Sequence, residues 1–338
     1  IAFTSGTTGI PKGCIQFHRD ILAPCDSFAA THFRMKAGDV VMTSAPIAFT
    51  FGLGATLLFP LRFGAATATI EQPSPPTMLE AIARHDVTHL ATAPTAYKAM
   101  LSQPGLEEAL KVLKCCLSAG EHLPKATWEA WKERTGISIV DGIGSTEMMH
   151  IFISESGDAI RPGSTGRAVP GYEATVLDND GNPMAEGEGR LAIKGPTGCR
   201  YLDDERQTKY VRDGWNLTGD TYCKDADGYF WYVARSDDMI VSSGYNIGAA
   251  EVENALLGHP AVAECAVVGV PCPERGQKVK AFVVTAANVT PDDALISELK
   301  NFVKATIAPY KYPREIEFVD ALPKTATGKL RRVELRSR

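Results

Sequence analysis

The sequence predicts an α/β protein: a large N-terminal region on a largely parallel sheet, with a β subdomain attached, followed by a small α+β domain. Three observations carry that reading. The first half alternates strand and helix signals. From about Gly163 to Trp231 the chain breaks into short alternating runs between turn clusters. The remainder returns to mixed helices and strands.

The elements follow in order. The chain opens on what reads as the end of a core strand, just before Thr4. In residues 77–85, helical spacing puts Met78, Leu79, Ile82 and Ala83 on one face. Residues 87–93 read as a short buried strand and residues 124–134 as a helix opened by Pro124, whose fixed φ suits a first turn. Ile137 to Val140 reads as the next strand, and such repeated αβ units argue for a parallel sheet covered by helices. Ala174 to Leu177, Arg190 to Ile193 and Tyr229 to Tyr232 are the alternating runs, and Asp178-Asn179-Asp180-Gly181-Asn182-Pro183 is a turn cluster. In the last region a helix is expected near Ala249 to Leu257, with Val252, Ala255 and Leu256 inward. Strands follow at Ala263 to Val270 and Val279 to Thr285, then a helix presenting Leu295, Leu299, Phe302 and Val303.

Composition narrows the function classes. A chain of 338 residues can hold two or three domains, and 44% hydrophobic with 22% charged residues is an ordinary globular balance. The net charge of −5 leaves no basic footprint, so no nucleic-acid partner is expected. No apolar run approaches the ~20 residues a bilayer span takes, so no membrane partner is expected either. The eight cysteines form no CxxC pair, which points to reduced thiols buried in a cytoplasmic protein. Because Ile1 is not a methionine and the pattern starts abruptly, a fragment lacking its N-terminal portion is expected, with a C-terminus close to the natural one. The oligomeric state stays open.

The sharpest local signal is Thr4-Ser5-Gly6-Thr7-Thr8-Gly9-Ile10-Pro11-Lys12-Gly13. Glycines let successive N–H groups converge on an anion, the hydroxyls add rotatable donors, and Lys12 adds a point charge. The run is not a Walker A loop, because Pro11 and Gly13 flank Lys12 where Gly and Ser or Thr are required. A flexible surface linker would share its composition, but not its Pro-Lys-Gly ending beside an apolar strand.

Phe3 to Gly13 resembles the glycine-rich phosphate loop of the acyl-adenylate-forming, or AMP-binding, superfamily. That superfamily includes acyl-CoA synthetases, adenylation domains of non-ribosomal synthetases and firefly-type luciferases. Further signatures follow in order: Gly144-Ser145-Thr146-Glu147, Trp215-Asn216-Leu217-Thr218-Gly219-Asp220, Arg235-Ser236-Asp237-Asp238-Met239-Ile240, Ser243-Gly244-Tyr245-Asn246-Ile247 and Pro323-Lys324-Thr325-Ala326-Thr327-Gly328-Lys329.

The resemblance implies a role for each. Thr4, Ser5, Gly6, Thr7, Thr8 and Gly9 would bind the nucleotide with Gly144 and Ser145, and Lys12 would assist catalysis. Glu147 would hold Mg²⁺ and Thr146 would contact the α-phosphate, in keeping with the preference of a hard cation for carboxylate and phosphate oxygens. Adenine would pack on Ile143, where relatives usually carry an aromatic ring, and its amino group would meet Asp141. Asp220 would accept the ribose hydroxyls, and Arg235 would bind ribose or phosphate. Asp237 would be the hinge between a partial N-terminal domain, residues 1–236, and a mobile C-terminal lid, residues 237–338. Gly244 and Tyr245 would line the CoA tunnel, and Lys329 would reach the carboxylate and the α-phosphate.

Phe49 stands where many relatives place a histidine. With Gly52-Leu53-Gly54, Ala93-Pro94-Thr95-Ala96-Tyr97 and Met148-Met149-His150-Ile151, it resembles the benzoate and 2-aminobenzoate CoA ligases in particular. An acid pocket walled by Phe49, Ala96, Tyr97 and Ile151, with His150 as a polar contact, would suit a flat ring; ordinary core packing is the competing reading. The resemblance therefore implies an enzyme that takes ATP, an aromatic carboxylic acid and CoA, with Mg²⁺, through an acyl-adenylate. A carrier-protein-loading adenylation domain, a luciferase-like monooxygenase and a non-catalytic nucleotide-binding fragment are the alternatives.

Overall fold

A computed structural model of the chain describes residues 1–4, 11–235, 238–324 and 330–336, with the side chain of Asn246 excepted. The chain divides into two compact units, Ile1–Thr218 with Tyr222–Trp231, and Gly219–Thr221 with Tyr232–Arg338.

The larger unit opens on β1 (Ala2–Phe3) and β2 (Gly13–Cys14), an antiparallel pair that brackets the glycine-rich run. The expectation of a core strand here is corrected. Phe3 is 60% exposed and Ile1 69%, so β1 is the outer arm of a hairpin. Next come β3 (Val40–Thr43), β4 (Ala66–Ala68), β5 (His89–Thr92), β6 (Cys115–Ala119), β7 (Ile139–Gly144), β8 (Ile151–Ser154) and β9 (Arg167–Ala168). They form one sheet in the order β4-β3-β5-β6-β7-β8-β9, parallel through β7 and antiparallel beyond it. All of β5 and most of β6 are buried, which is why their sequences run apolar instead of alternating.

Helices cover this sheet. The helix α1 (Pro75–Arg84) starts at Ser74, whose side chain accepts from the Thr77 amide. Its inward face is Met78, Leu79, Ala81 and Ile82, while Ala83 is exposed, so the fourth inward position lies at Ala81 rather than Ala83. The helices α2 (Pro94–Met100) and α3 (Lys125–Thr135) pack on the same core, where the Tyr97 ring meets Trp131 edge to face at 4.8 Å.

Strand β7 begins two residues later than Ile137 and runs on to Gly144. Its glycines are packing positions: a Cβ on Gly142 would lie 2.9 Å from Ile151 side-chain atoms, and one on Gly144 2.6 Å from the His150 carbonyl. Glycine lets β8 close on β7, with a register irregularity between Ile143 and Gly144.

The β subdomain comprises β10 (Glu173–Leu177), β11 (Pro183–Met184), β12 (Gly187–Lys194), β13 (Val211–Arg212) and β14 (Trp215–Lys224), in the order β11-β10-β12-β14-β13. The predicted turn after β10 closes with the Asn182 amide donating to Asp178 Oδ1 at 2.8 Å, and Gly181 takes φ 95°. Strand β15 (Phe230–Arg235) then carries the chain into the second unit.

The smaller unit holds β16 (Ile240–Ser242), β17 (Tyr245–Ile247), α4 (Ala249–Leu257), β18 (Val262–Cys272), β19 (Gly276–Thr285), α5 (Asp293–Thr306), β20 (Glu315–Phe318) and α6 (Arg332–Arg336). Its sheet runs β17-β16-β19-β18, with β20 parallel to β19. Val252, Ala255 and Leu256 of α4 and Leu295, Leu299 and Val303 of α5 enclose the core, with Phe302 only half-buried at its edge. Among the described residues no helix is long and apolar enough to cross a membrane.

Candidate active site

At the mouth of the glycine-rich run, Thr4 and Lys12 close the loop on themselves. The Thr4 amide donates to the Lys12 carbonyl at 3.0 Å, and the Lys12 amide donates to Thr4 Oγ1 at 3.0 Å. Ser5, Gly6, Thr7, Thr8 and Gly9, expected to bind the nucleotide, lie outside the described residues.

The Lys12 ammonium does not stand alone. It lies 3.6 Å from Glu147 Oε1 and over the rings of Tyr210 at 3.9 Å and Tyr201 at 4.8 Å. The Tyr201 hydroxyl donates to the same Glu147 oxygen at 2.6 Å, and the two tyrosine rings meet edge to face at 5.4 Å. Burial, followed by the Glu147 charge, pushes the Tyr201 phenol far above its ordinary range, so it stays a neutral donor. The backbone builds this arrangement. Cys14 bridges Tyr201, the Ile15 amide donates to the Arg200 carbonyl at 2.7 Å, and the Leu202 amide to the Gly13 carbonyl at 2.8 Å. Tyr201 and Tyr210 were not legible from sequence, because a bridge between distant segments brings them to Lys12 and no local motif marks them.

Glu147 sits in a tight turn after β7. The Met148 amide donates to Ser145 Oγ at 3.2 Å, Gln16 Nε2 to the Thr146 carbonyl at 2.9 Å, and Met149 takes φ 71°. The turn thus presents Thr146 and Glu147 at the C-terminal end of a parallel strand, where open α/β sheets place their ligands. Among the described residues no group of three or more His, Cys, Asp or Glu could hold a metal. Glu147 offers a single carboxylate, which fits a magnesium ion held mainly by substrate phosphates.

Farther back on β7, Ile143 is half-buried opposite Ile153, and Gly144 is exposed. Asp141 pairs in register with Ser118. Although the residue as a whole is half-buried, its Oδ1 is sealed from solvent, and neither Oδ1 nor Ser118 Oγ has a partner at hydrogen-bonding geometry. Burial raises this carboxyl to about 7, tempered by the nearby Ser118 hydroxyl and the Gly142 amide.

The expected acid pocket is divided by the structure. Phe49, which precedes a helical turn at Thr50–Leu53, is half-buried, as is Ala96 in α2. Tyr97 is fully buried, and its hydroxyl donates to the carbonyls of Leu90 at 3.2 Å and Leu117 at 3.0 Å, so its polar end is engaged by β5 and β6. Ile151 is 1% exposed and packs on Gly142. His150 is 3% exposed, ringed by Phe59 at 4.7 Å, Phe28 at 5.6 Å and Phe51 at 5.8 Å. Neither of its ring nitrogens finds a partner at hydrogen-bonding geometry. Burial lowers its pKa to about 4, the Phe51 backbone offsetting only part of the shift. The sequence reading missed this aromatic ring of neighbours around His150.

In the smaller unit, Arg235 Nη1 lies 3.6 Å from Asp220 Oδ1, and Gly219 turns the chain at φ 79° beside that guanidinium. Gly244 takes φ 81°, and Tyr245, 55% exposed, stacks on Tyr310 at 4.5 Å. Asp237 and Lys329 lie outside the described residues.

Comparison with known proteins adds to this geometry. Residues 1–200 match the family described as AMP-binding enzyme, and residues 251–329 match the AMP-binding enzyme C-terminal domain. The chain is 42% identical over 341 residues to benzoate–CoA ligase from Thauera aromatica, covering 99% of this chain and 65% of that protein. It is 38% identical over 350 residues to the mitochondrial acyl-coenzyme A synthetase ACSM3 of Homo sapiens, covering 100% of this chain and 60% of that protein. Among solved structures, the anthranilate CoA ligase AuaEII in complex with anthranoyl-AMP superposes with a TM-score of 0.94 at 40% identity, covering 99% of this chain and 66% of that chain. The chain thus spans about three-fifths to two-thirds of the length of these relatives.

Proposed function

We propose an activity that proceeds from one premise: the chain belongs to the AMP-binding enzyme family. It is the catalytic core of an acid–CoA ligase acting on an aromatic carboxylic acid, benzoate or 2-aminobenzoate. The observation that carries this is the pairing of Lys12 with Glu147 at the mouth of the glycine-rich loop. There a cation and a carboxylate wait where nucleotide phosphates and their counter-ion would separate them.

In the first half-reaction the substrate carboxylate attacks the α-phosphorus of ATP in line. The bond to the bridging oxygen breaks, leaving acyl-AMP and pyrophosphate. The chain supplies position and charge rather than a covalent partner: Lys12 and Lys329 neutralise phosphate and carboxylate charge, and Thr146 orients the α-phosphate. Magnesium, held by Glu147, would add charge neutralisation across the phosphates. The sealed Oδ1 of Asp141 is an acceptor awaiting a donor, a role the adenine amino group fills, with Ile143 packing on the base. Asp220 takes the ribose hydroxyls, with Arg235 beside it. In the second half-reaction the C-terminal domain, residues 237–338, turns about Asp237 and brings Gly244 and Tyr245 towards the pantetheine arm. The CoA thiolate then attacks the acyl carbon and AMP leaves.

Support for an aromatic acid comes from Phe49 in place of a histidine, and from the likeness to a benzoate–CoA ligase and an anthranilate CoA ligase. The equally long match to an acyl-coenzyme A synthetase keeps aliphatic acids as the competing class. Acid-dependent pyrophosphate release across substituted benzoates and fatty acids tests both points. Activity with benzoate or 2-aminobenzoate above that with octanoate is expected. Octanoate exceeding both in kcat/KM overturns the aromatic assignment. Nucleotide binding without pyrophosphate release from any acid overturns the enzyme reading in favour of a binding module.

A further inference from the structure

The residues that flank Lys329 in sequence, Lys324 and Leu330, are fixed to one another in the smaller unit. Lys324 and Leu330 form an antiparallel bridge, and the Arg331 amide donates to the Pro323 carbonyl at 2.9 Å. Lys324 Nζ donates to Glu264 at 2.7 Å. Immediately beyond, α6 is seated by Leu335, fully buried among Ala266, Val268, Phe282 and Leu322.

Two arginines of α6 reach across the unit. Arg332 donates through Nη2 to both oxygens of Glu253, at 2.7 and 2.8 Å, and Glu253 also accepts the Val267 amide at 2.8 Å. Nη1 of Arg332 lies 3.8 Å from Asp238 Oδ2, and Arg336 donates to Asp238 directly. Asp238 is the residue after Asp237, and its own amide donates to the Arg235 carbonyl at 2.9 Å. Its carboxylate and that of Glu253 are shielded, with side chains 18% and 14% exposed. Ion pairs so placed hold geometry better than surface pairs do.

We propose that Asp238 is a positioning residue for adenylation. By receiving Arg336 and Arg332 it ties the segment that follows Asp237 to the segment that follows Lys329, so the described residues on either side of the lysine, Lys324 and Leu330, keep one position relative to Arg235. This rests on the assignment of Lys329 to the first half-reaction. Asp238 touches no substrate; it acts through α6.

Two readouts test the link in the full protein. Hydrogen exchange of the Arg331 amide, which the Pro323 carbonyl holds, is followed in Asp238→Asn and Arg336→Gln, and is expected to quicken at least about fivefold as the base opens locally. In the half-reactions, kcat for pyrophosphate release should fall about tenfold with the KM for ATP within about twofold, because binding groups on other segments are untouched. Thioester formation from supplied acyl-AMP should stay within about twofold of the parent. The double variant should be no worse than either single, since both remove one link. Should Asp238→Asn fail to fold, Arg336→Gln carries the test, because Leu335 still seats α6. Unchanged exchange in a folded variant, or equal losses in both half-reactions, overturns the proposal. A parent protein that releases no pyrophosphate with any acid overturns the reading of function instead, and exchange alone then decides whether the link exists.

Discussion

The imidazole of His150 lies directly on Gly54: a Cβ at residue 54 would fall 2.5 Å from Cδ2 and 2.6 Å from Nε2 of that ring. Glycine at 54 is therefore what gives the ring its place among Phe28, Phe51 and Phe59. Two stretches that look unrelated in sequence, Gly52-Leu53-Gly54 and Met148-Met149-His150-Ile151, are the two halves of one packed arrangement. The histidine is sealed within it, 3% exposed, against the rings of Phe28, Phe51 and Phe59.

Gly54→Ala should accordingly push the ring out of its niche. Overfilling a packed site of this kind costs about 1–3 kcal/mol. Urea unfolding should show that loss without a change in m-value. Full stability in the variant would mean that the ring moves aside freely and that the packing is not fixed.

His150 also sets a pH dependence. Its folded pKa of about 4 lies below the ordinary 6.5, so between those values the unfolded chain binds a proton that the folded chain refuses. Stability is thus fully held above pH 6.5 and falls as pH drops towards 4, by up to about 3 kcal/mol. Asp141 works in the opposite sense. Raised to about 7, it contributes stability below about pH 4 that is lost as pH rises towards 7. A comparison isolates the histidine: His150→Leu should show a flatter loss of unfolding free energy from pH 6.5 to 4 than the parent. Parallel curves for the two proteins would remove the histidine from the account.

Much of this was legible in the sequence, and the failures have physical reasons. Helix α4 falls at Ala249–Leu257, where periodicity put it, because Val252, Ala255 and Leu256 sit at helical spacing on one core. The end of β7, expected at Val140, was misjudged because Gly142 and Gly144 look like loop residues. They are strand positions cleared for Ile151 and His150, a constraint imposed by β8. Likewise Thr4, Lys12 and Glu147 carry recognisable motifs, whereas Tyr201 reaches Glu147 only through pairing of the segments around Cys14 and Tyr201. Periodicity and motif report local order; they are silent on which distant strand supplies the neighbour.

Tyr201→Phe removes the hydroxyl that holds Glu147 and leaves the ring over Lys12. Groups that orient a metal-binding carboxylate typically carry about tenfold or more in metal affinity. The magnesium concentration for half-maximal pyrophosphate release should therefore rise about tenfold, with the fold intact by circular dichroism. An unchanged magnesium requirement would restrict Tyr201 to a packing role.

Lys329→Ala should slow pyrophosphate release by roughly 10²–10³, the scale for deleting one preorganised charge donor. Thioester formation from supplied acyl-AMP should survive, since that step is assigned to a rotated domain with Lys329 withdrawn. Single-turnover measurement of each half-reaction separates the two. Equal losses in both would contradict the assignment.

Tyr97 offers the decisive test between pocket and core. Its hydroxyl is spent on the carbonyls of Leu90 and Leu117, and its ring packs on Trp131. Tyr97→Phe keeps the ring and leaves two buried carbonyls short of a donor. If the residue is core, the variant should lose about 1–2 kcal/mol of unfolding free energy. Its kcat/KM ratio for 2-aminobenzoate over benzoate should then match the parent's, because no substrate atom ever met the hydroxyl. A wall residue would behave in the reverse way. Removing a hydroxyl that faced the ring substituent would shift that ratio, by about tenfold for each 1.4 kcal/mol of substrate interaction removed, and leave stability nearly untouched. Measuring unfolding and the two specificity constants on one preparation therefore assigns Tyr97. A shifted ratio at full stability would return it to the pocket and would require β5 and β6 to part near Leu90 when the acid binds.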